Sequence, residues 1–104
     1  MNISEKMRMR MLVSGLRDEL SKGGIIYVDK IRLVGSRLET TYHAKLYHGI
    51  KIHEGYIGGD VIELLTCKDS DFSAKMKEFV DNYGKCVRDC IEHSAKVKVG
   101  LCWF

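Results

Sequence analysis

Two glycine-centred turns constrain this chain more than any other feature. Gly35-Ser36 fits a two-residue type II′ turn, which takes glycine first, and Tyr47-His48-Gly49 fits a three-residue hairpin loop with glycine in the left-handed position. Proline is absent, so glycine alone marks the breaks. Between these turns residues 24–57 read as a three-stranded antiparallel meander, beginning with the β-branched run 25–34. Counting outward from Gly35-Ser36 pairs Leu33 with Leu38, Ile31 with Thr40, Tyr27 with Ala44 and Ile25 with Leu46. The opposite side pairs Arg32 with Glu39. The second turn sets Leu46 against Ile50, Ala44 against Ile52, Lys45 against Lys51 and His43 against His53. One row disagrees, because Asp29, Tyr42 and Glu54 fall on the apolar side. Either that row lies past the helices' cover or a bulge shifts the register there.

The flanking segments carry helical periodicity. Asn2 and Glu5 have capping-box spacing. Met9, Leu12, Val13, Leu16 and Leu20 then recur at three and four residues, while Lys6, Arg10 and Arg17 take another face. Gly23 and Gly24 end this helix, expected over about residues 3–22. After Gly58-Gly59, residues 61–66 are expected to form a fourth strand. Asp69-Ser70-Asp71 supplies a second N-cap and negative charge at the helix start. From there Phe72, Met76, Phe79, Val80, Tyr83, Val87, Cys90 and Ile91 keep helical spacing for over five turns. Gly84 within it costs roughly 1 kcal/mol relative to alanine, too little to overrule the pattern. Residues 97–103 alternate strictly and predict a last strand with Val97, Val99, Leu101 and Trp103 inward.

Two amphipathic helices need an apolar surface, and one face of the meander provides it. The expected fold is a single α+β domain over residues 1–104. It is a two-layer sandwich with an antiparallel meander of three to four strands and both helices on one face, in the order α-β-β-β-(β)-α-β. Apolar residues at 45% and charged residues at 30% suit a packed core with a solvated surface and exclude a disordered chain. The first eight residues interleave charge with methionine. They lack the apolar run of about 7–15 residues of a secretory signal, and no segment reaches the roughly 20 residues of a membrane span. A cytoplasmic protein with reduced thiols at Cys67, Cys86, Cys90 and Cys102 is expected.

The order resembles the α-β-β-β-α arrangement of double-stranded-RNA-binding domains over about residues 3–94. Ser73-Ala74-Lys75-Met76-Lys77 is similar to the basic helix start of that family. The family's fuller Lys-Lys-x-Ala-Lys pattern is absent, and Asp69 and Asp71 put acid where phosphate would bind. The resemblance implies nucleic-acid binding as one reading of the chain.

Seventeen Lys and Arg against fourteen Asp and Glu give a formal charge of +3, too mild to demand a polyanionic partner. Placement matters more. The register puts Lys30, Arg32, Arg37, His43, Lys45, Lys51 and His53 on the outer face of the meander, with Glu39 the single acid among them. Like charges directly opposite are unfavourable by up to about 1 kcal/mol, so the Lys45–Lys51 and His43–His53 rows suit an anionic partner. A solvated sheet face explains the same lysines without one.

Three functional readings follow. A non-enzymatic protein-binding inhibitor or regulator would use the basic face or an edge strand against an acidic protein surface. It is similar in general character to small phage proteins that block host or defence machinery. A nucleic-acid-binding domain would lay the same face on phosphates. A metal-independent ribonuclease would use His43 and His53 as general base and acid. No cofactor motif is present. Cys86-x3-Cys90-x2-His93, with Cys102 or Cys67, has spacing that would bring ligands along one helix side, but its cysteines flank the apolar stripe and read as buried thiols. The terminal strand closes the sheet or pairs with a second copy to make a homodimer.

Overall fold

The computed structural model describes residues 3–45 and 49–98, of which 94–98 by backbone alone. Helix α1 spans Glu5–Ser21, strands β1, β2 and β3 span Ile26–Val34, Arg37–Lys45 and Lys51–Asp60, α2 spans Ile62–Thr66 and α3 spans Asp69–Lys98. The strands form one antiparallel sheet in the order β1-β2-β3. This is an α+β fold with the order α-β-β-β-α-α.

Helix α1 starts at Ser4, whose hydroxyl accepts the Met7 N–H at 3.1 Å. The cap is therefore Ser4 rather than Asn2, which lies outside the described residues. Leu12, Leu16 and Leu20 are buried as the periodicity requires. Arg8 joins them at 5% exposure, one turn before Leu12. Gly35 holds a φ of 63°, the positive value its turn needs, and Gly49 one of 87°.

Near the first turn the register matches expectation: Leu33 faces Leu38, Arg32 faces Glu39 and Ile31 faces Thr40. Beyond it Asp29 is an extra residue, so Val28 pairs with Tyr42 and Lys30 with Thr41. A second extra residue, Ile52, separates the Lys45–Lys51 pair from Ala44–His53. These two β-bulges overturn several expected pairs. Ala44 faces Ile26 rather than Tyr27, and His53 rather than Ile52. His43 faces Tyr27 and Glu54 rather than His53, and Tyr42 faces Gly55 rather than Glu54. The pairs expected for Leu46 lie outside the described residues.

The run 61–66 holds helix α2, Ile62–Thr66, and not a fourth strand. Asp60 Oδ1 accepts the Ile62 N–H at 2.8 Å, and Val61 N–H donates to the Ser36 carbonyl at 2.8 Å, which pins the helix start to the first hairpin turn. An apolar run this short has no period of its own to choose between strand and helix. Helix α3 continues through Val97 and Lys98, so the expected terminal strand does not begin there. Its remaining residues, Val99 to Trp103, lie outside the described residues.

Both long helices pack on one face of the sheet. Leu12, Leu16, Leu38, Val61, Leu64, Phe72, Val80 and Tyr83 form one buried cluster. Leu20, Ile26, Tyr42, Ala44, Val87 and Ile91 form the other. Every second residue of β2 points into this core: Leu38, Thr40, Tyr42 and Ala44 are all buried. The alternate residues make the open face.

Candidate functional site

Alternation along the three strands, corrected for the two bulges, defines the open face. On β1 it carries Tyr27, Asp29, Lys30, Arg32 and Val34, and on β2 Arg37, Glu39, Thr41, His43 and Lys45. On β3 it carries Lys51, Glu54, Tyr56, Gly58 and Asp60. Six of the seven residues expected on this face are there. The seventh, His53, is not. The bulge at Ile52 turns it to the helix side, where Tyr42 Oη lies 3.0 Å from its Nε2. His43 and His53 therefore sit on opposite faces of the sheet and cannot act on one phosphodiester, which removes the geometry of the two-histidine nuclease.

The same bulges bring in acid. Asp29, Glu54 and Asp60 join Glu39, so the face is mixed in sign rather than basic. Glu39 lies 3.5 Å from Arg32, and Glu54 pairs with Lys51. That Lys51 contact, a hydrogen bond first and a charge second, holds the Glu54 carboxyl below its usual range. Lys45 and Lys51 do stand opposite each other. Their repulsion is met from within: Lys51 turns to Glu54, while Lys45 Nζ lies 5.8 Å over the ring of Tyr27. An external anion is not needed to explain that row.

His43 is held from two sides. The Asp29 carboxylate brackets its Nδ1 at 2.8 and 3.0 Å, and its ring stacks on Tyr27 at 5.3 Å between centroids with planes 13° apart. The bulge is what aims Asp29 at it. A carboxylate accepts from Nδ1–H, which leaves Nε2 as the lone-pair nitrogen of the neutral ring.

Tyr27 and Tyr56, 47% and 54% exposed, are aromatic groups that the sequence register did not bring to this face. Strict alternation from the first turn placed Tyr27 with the core, and only the extra residue at Asp29 reverses it. The Tyr56 hydroxyl beside Arg37 raises its already high pKa further. Lys30, Arg37 and Lys45 form no ion pair among the described residues.

The expected cysteine cluster is dispersed. Cys86 and Cys90 are exposed rather than buried, because the inward positions of α3 go to Tyr83, Val87 and Ile91. Cys67 is half-buried at the end of α2, 3.3 Å from Arg8. Cys102 lies outside the described residues. Among the described residues no group of three or more His, Cys, Asp or Glu is gathered as for a metal ion. Nor is any described helix long and apolar enough to cross a membrane.

Compared with known proteins, the chain matches no family model, no curated protein and no solved structure.

Proposed function

We propose that this chain is a non-enzymatic cytoplasmic binding protein, an inhibitor or regulator that docks on another protein through the open face of its sheet. The observation that carries the reading is the make-up of that face. Two exposed tyrosines, Tyr27 and Tyr56, stand among Lys30, Arg37 and Lys45, three cations with no ion pair among the described residues. Protein interfaces concentrate tyrosine and arginine at their centres. An acidic patch on the partner answers the three cations. The four interleaved acids, Asp29, Glu39, Glu54 and Asp60, would repel a continuous phosphate backbone, whereas a protein surface offers both signs.

Nucleic acid is the second reading, and the same two tyrosines support it, since exposed aromatic rings on a sheet stack bases.

Affinity capture separates the readings. Wild type is compared with a Lys30→Glu, Arg37→Glu, Lys45→Glu triple variant whose fold is verified by circular dichroism. A partner held by wild type and lost by the variant supports docking through this face, and equal retention overturns it. Single- and double-stranded DNA and RNA are titrated across a salt series in parallel. Tight binding whose salt slope falls by about one for each phosphate contact removed would replace the protein reading with the nucleic-acid one.

A further inference from the structure

We infer that the open face contains a subsite for one carboxylate of an acidic protein segment, in the hollow lined by Lys30, Arg32, Glu39, Thr41 and Tyr56. It rests on the docking reading above and names what the partner brings to it.

The hollow follows from two neighbouring cross-strand rows. One row is Lys30, Thr41, Tyr56 and the next is Arg32, Glu39, Gly58. Long side chains form the walls, while short Thr41 and bare Gly58 leave the depression between them. The space over Gly58 is taken by a guanidinium: a Cβ there would stand 2.6 Å from Arg37 Nε. Gly58 thus lets Arg37 lie flat beside Tyr56 at the rim.

Size and charge select the occupant. The hollow encloses about 250 Å³, below the about 300–1,000 Å³ of sites that engulf a small molecule. It suits a side chain rather than a free ligand. Lys30 and Arg32 set two positive charges against the one carboxylate of Glu39, which is already 3.5 Å from Arg32. One positive charge remains, and a single carboxylate answers it. A partner cation would meet Lys30 as a like charge, and an apolar side chain would strip water from Lys30 without pairing it. The Lys30 ammonium and the Thr41 and Tyr56 hydroxyls are the donors a carboxylate needs.

The test uses amide chemical shifts of the full chain titrated with a short blocked Asp/Glu peptide, with its Asn/Gln counterpart, and with inorganic phosphate. The acidic peptide is expected to move the amides of Lys30, Arg32, Thr41 and Tyr56, and the amide peptide to leave them unmoved. Lys30→Met is expected to weaken the effect by about fivefold, the scale of one exposed ion pair. Thr41→Leu, which fills the hollow, is expected to abolish it. Absence of localised shifts at millimolar acidic peptide overturns the subsite. The same shifts at much lower concentrations of phosphate than of peptide overturn it in favour of a phosphoryl ligand. The captured partner keeps the two failures apart. Loss in the triple variant but retention by Thr41→Leu overturns the subsite and leaves docking intact, whereas retention by both overturns docking itself.

Discussion

Tyr83 of α3 and Thr40 of the middle strand meet hydroxyl to hydroxyl at 3.0 Å in the buried core. The Tyr83 hydroxyl also lies 3.0 Å from the Ile57 carbonyl, so one side chain ties α3 to both β2 and β3. Burial pushes its pKa up. Tyr83→Phe keeps the ring and strands the Thr40 hydroxyl in an apolar setting. It is expected to cost about 1.5 kcal/mol in urea unfolding, with Thr40→Val in the same background costing less than Thr40→Val alone.

Arg8 locks the two helical corners together. Its guanidinium reaches Asp69 at 2.6 Å and the Leu64 carbonyl at 2.8 Å, and lies 5.0 Å over the Phe72 ring. Arg8→Ala is expected to lower stability by about 2 kcal/mol, less than the roughly 3–5 kcal/mol of a fully buried pair because Asp69 keeps contact with water. The Ile3 N–H and then Arg8 hold the Asp69 carboxyl below its usual range. Its stabilising contribution is therefore present above about pH 3.9, the unfolded value, and is lost as pH falls through the lower folded value. Asp69→Asn is expected to flatten the acid limb of the stability profile, measured by denaturant midpoints at successive pH.

Two β3 glycines predict opposite outcomes for the same substitution. A Cβ at Gly55 would stand 2.4 Å from the Tyr42 hydroxyl and 2.7 Å from His53 Nε2. Tyr42 is 3% exposed and has no room to yield, so Gly55→Ala is expected to cost about 2 kcal/mol by overpacking. At Gly58 the clash is with the free end of Arg37, which swings into water. Gly58→Ala is expected to stay within about 0.5 kcal/mol of wild type while displacing Arg37 from Tyr56, read from the side-chain resonances of both.

Burial pushes the Tyr42 hydroxyl up to about 12. A folded value above the unfolded value of about 10 means that its contribution is whole below pH 10 and is lost as pH rises toward 12. Stability is expected to fall across that window, with Tyr83 adding in the same direction. Tyr42→Phe is expected to make the fall shallower, whatever its offset at neutral pH.

Much of the fold was legible because its signals are periodic. The leucine stripe of α1 and the Phe72–Ile91 stripe of α3 run long enough for helical spacing to be unmistakable, and Gly35 fixes the pairs beside it. What escaped was set by single residues. One bulge residue reverses the side on which every residue beyond it falls, so Tyr27 changed layers at Asp29 and His53 at Ile52. The discordant Asp29–Tyr42–Glu54 row was the trace of both shifts, read as one anomaly. Helix α2 escaped because a run of six residues is too short to show a period that would choose between strand and helix. Arg8 escaped because its charge is buried only by virtue of Asp69, sixty-one positions away in sequence.

The extra residue at Asp29 has a consequence beyond aiming a carboxylate. Strand β1 is an outer strand, and its unpaired backbone groups invite another chain to add on. An approaching strand finds three residues in step, Ile26 to Val28, then a dislocation, then five more from Lys30 to Val34. Along this edge no uninterrupted template longer than those five is offered. Removing Asp29 would leave the inward and outward sides of the strand unchanged while joining the two pieces into one straight margin. The bulge at Asp29 thus shortens what this margin of the sheet offers to a second chain.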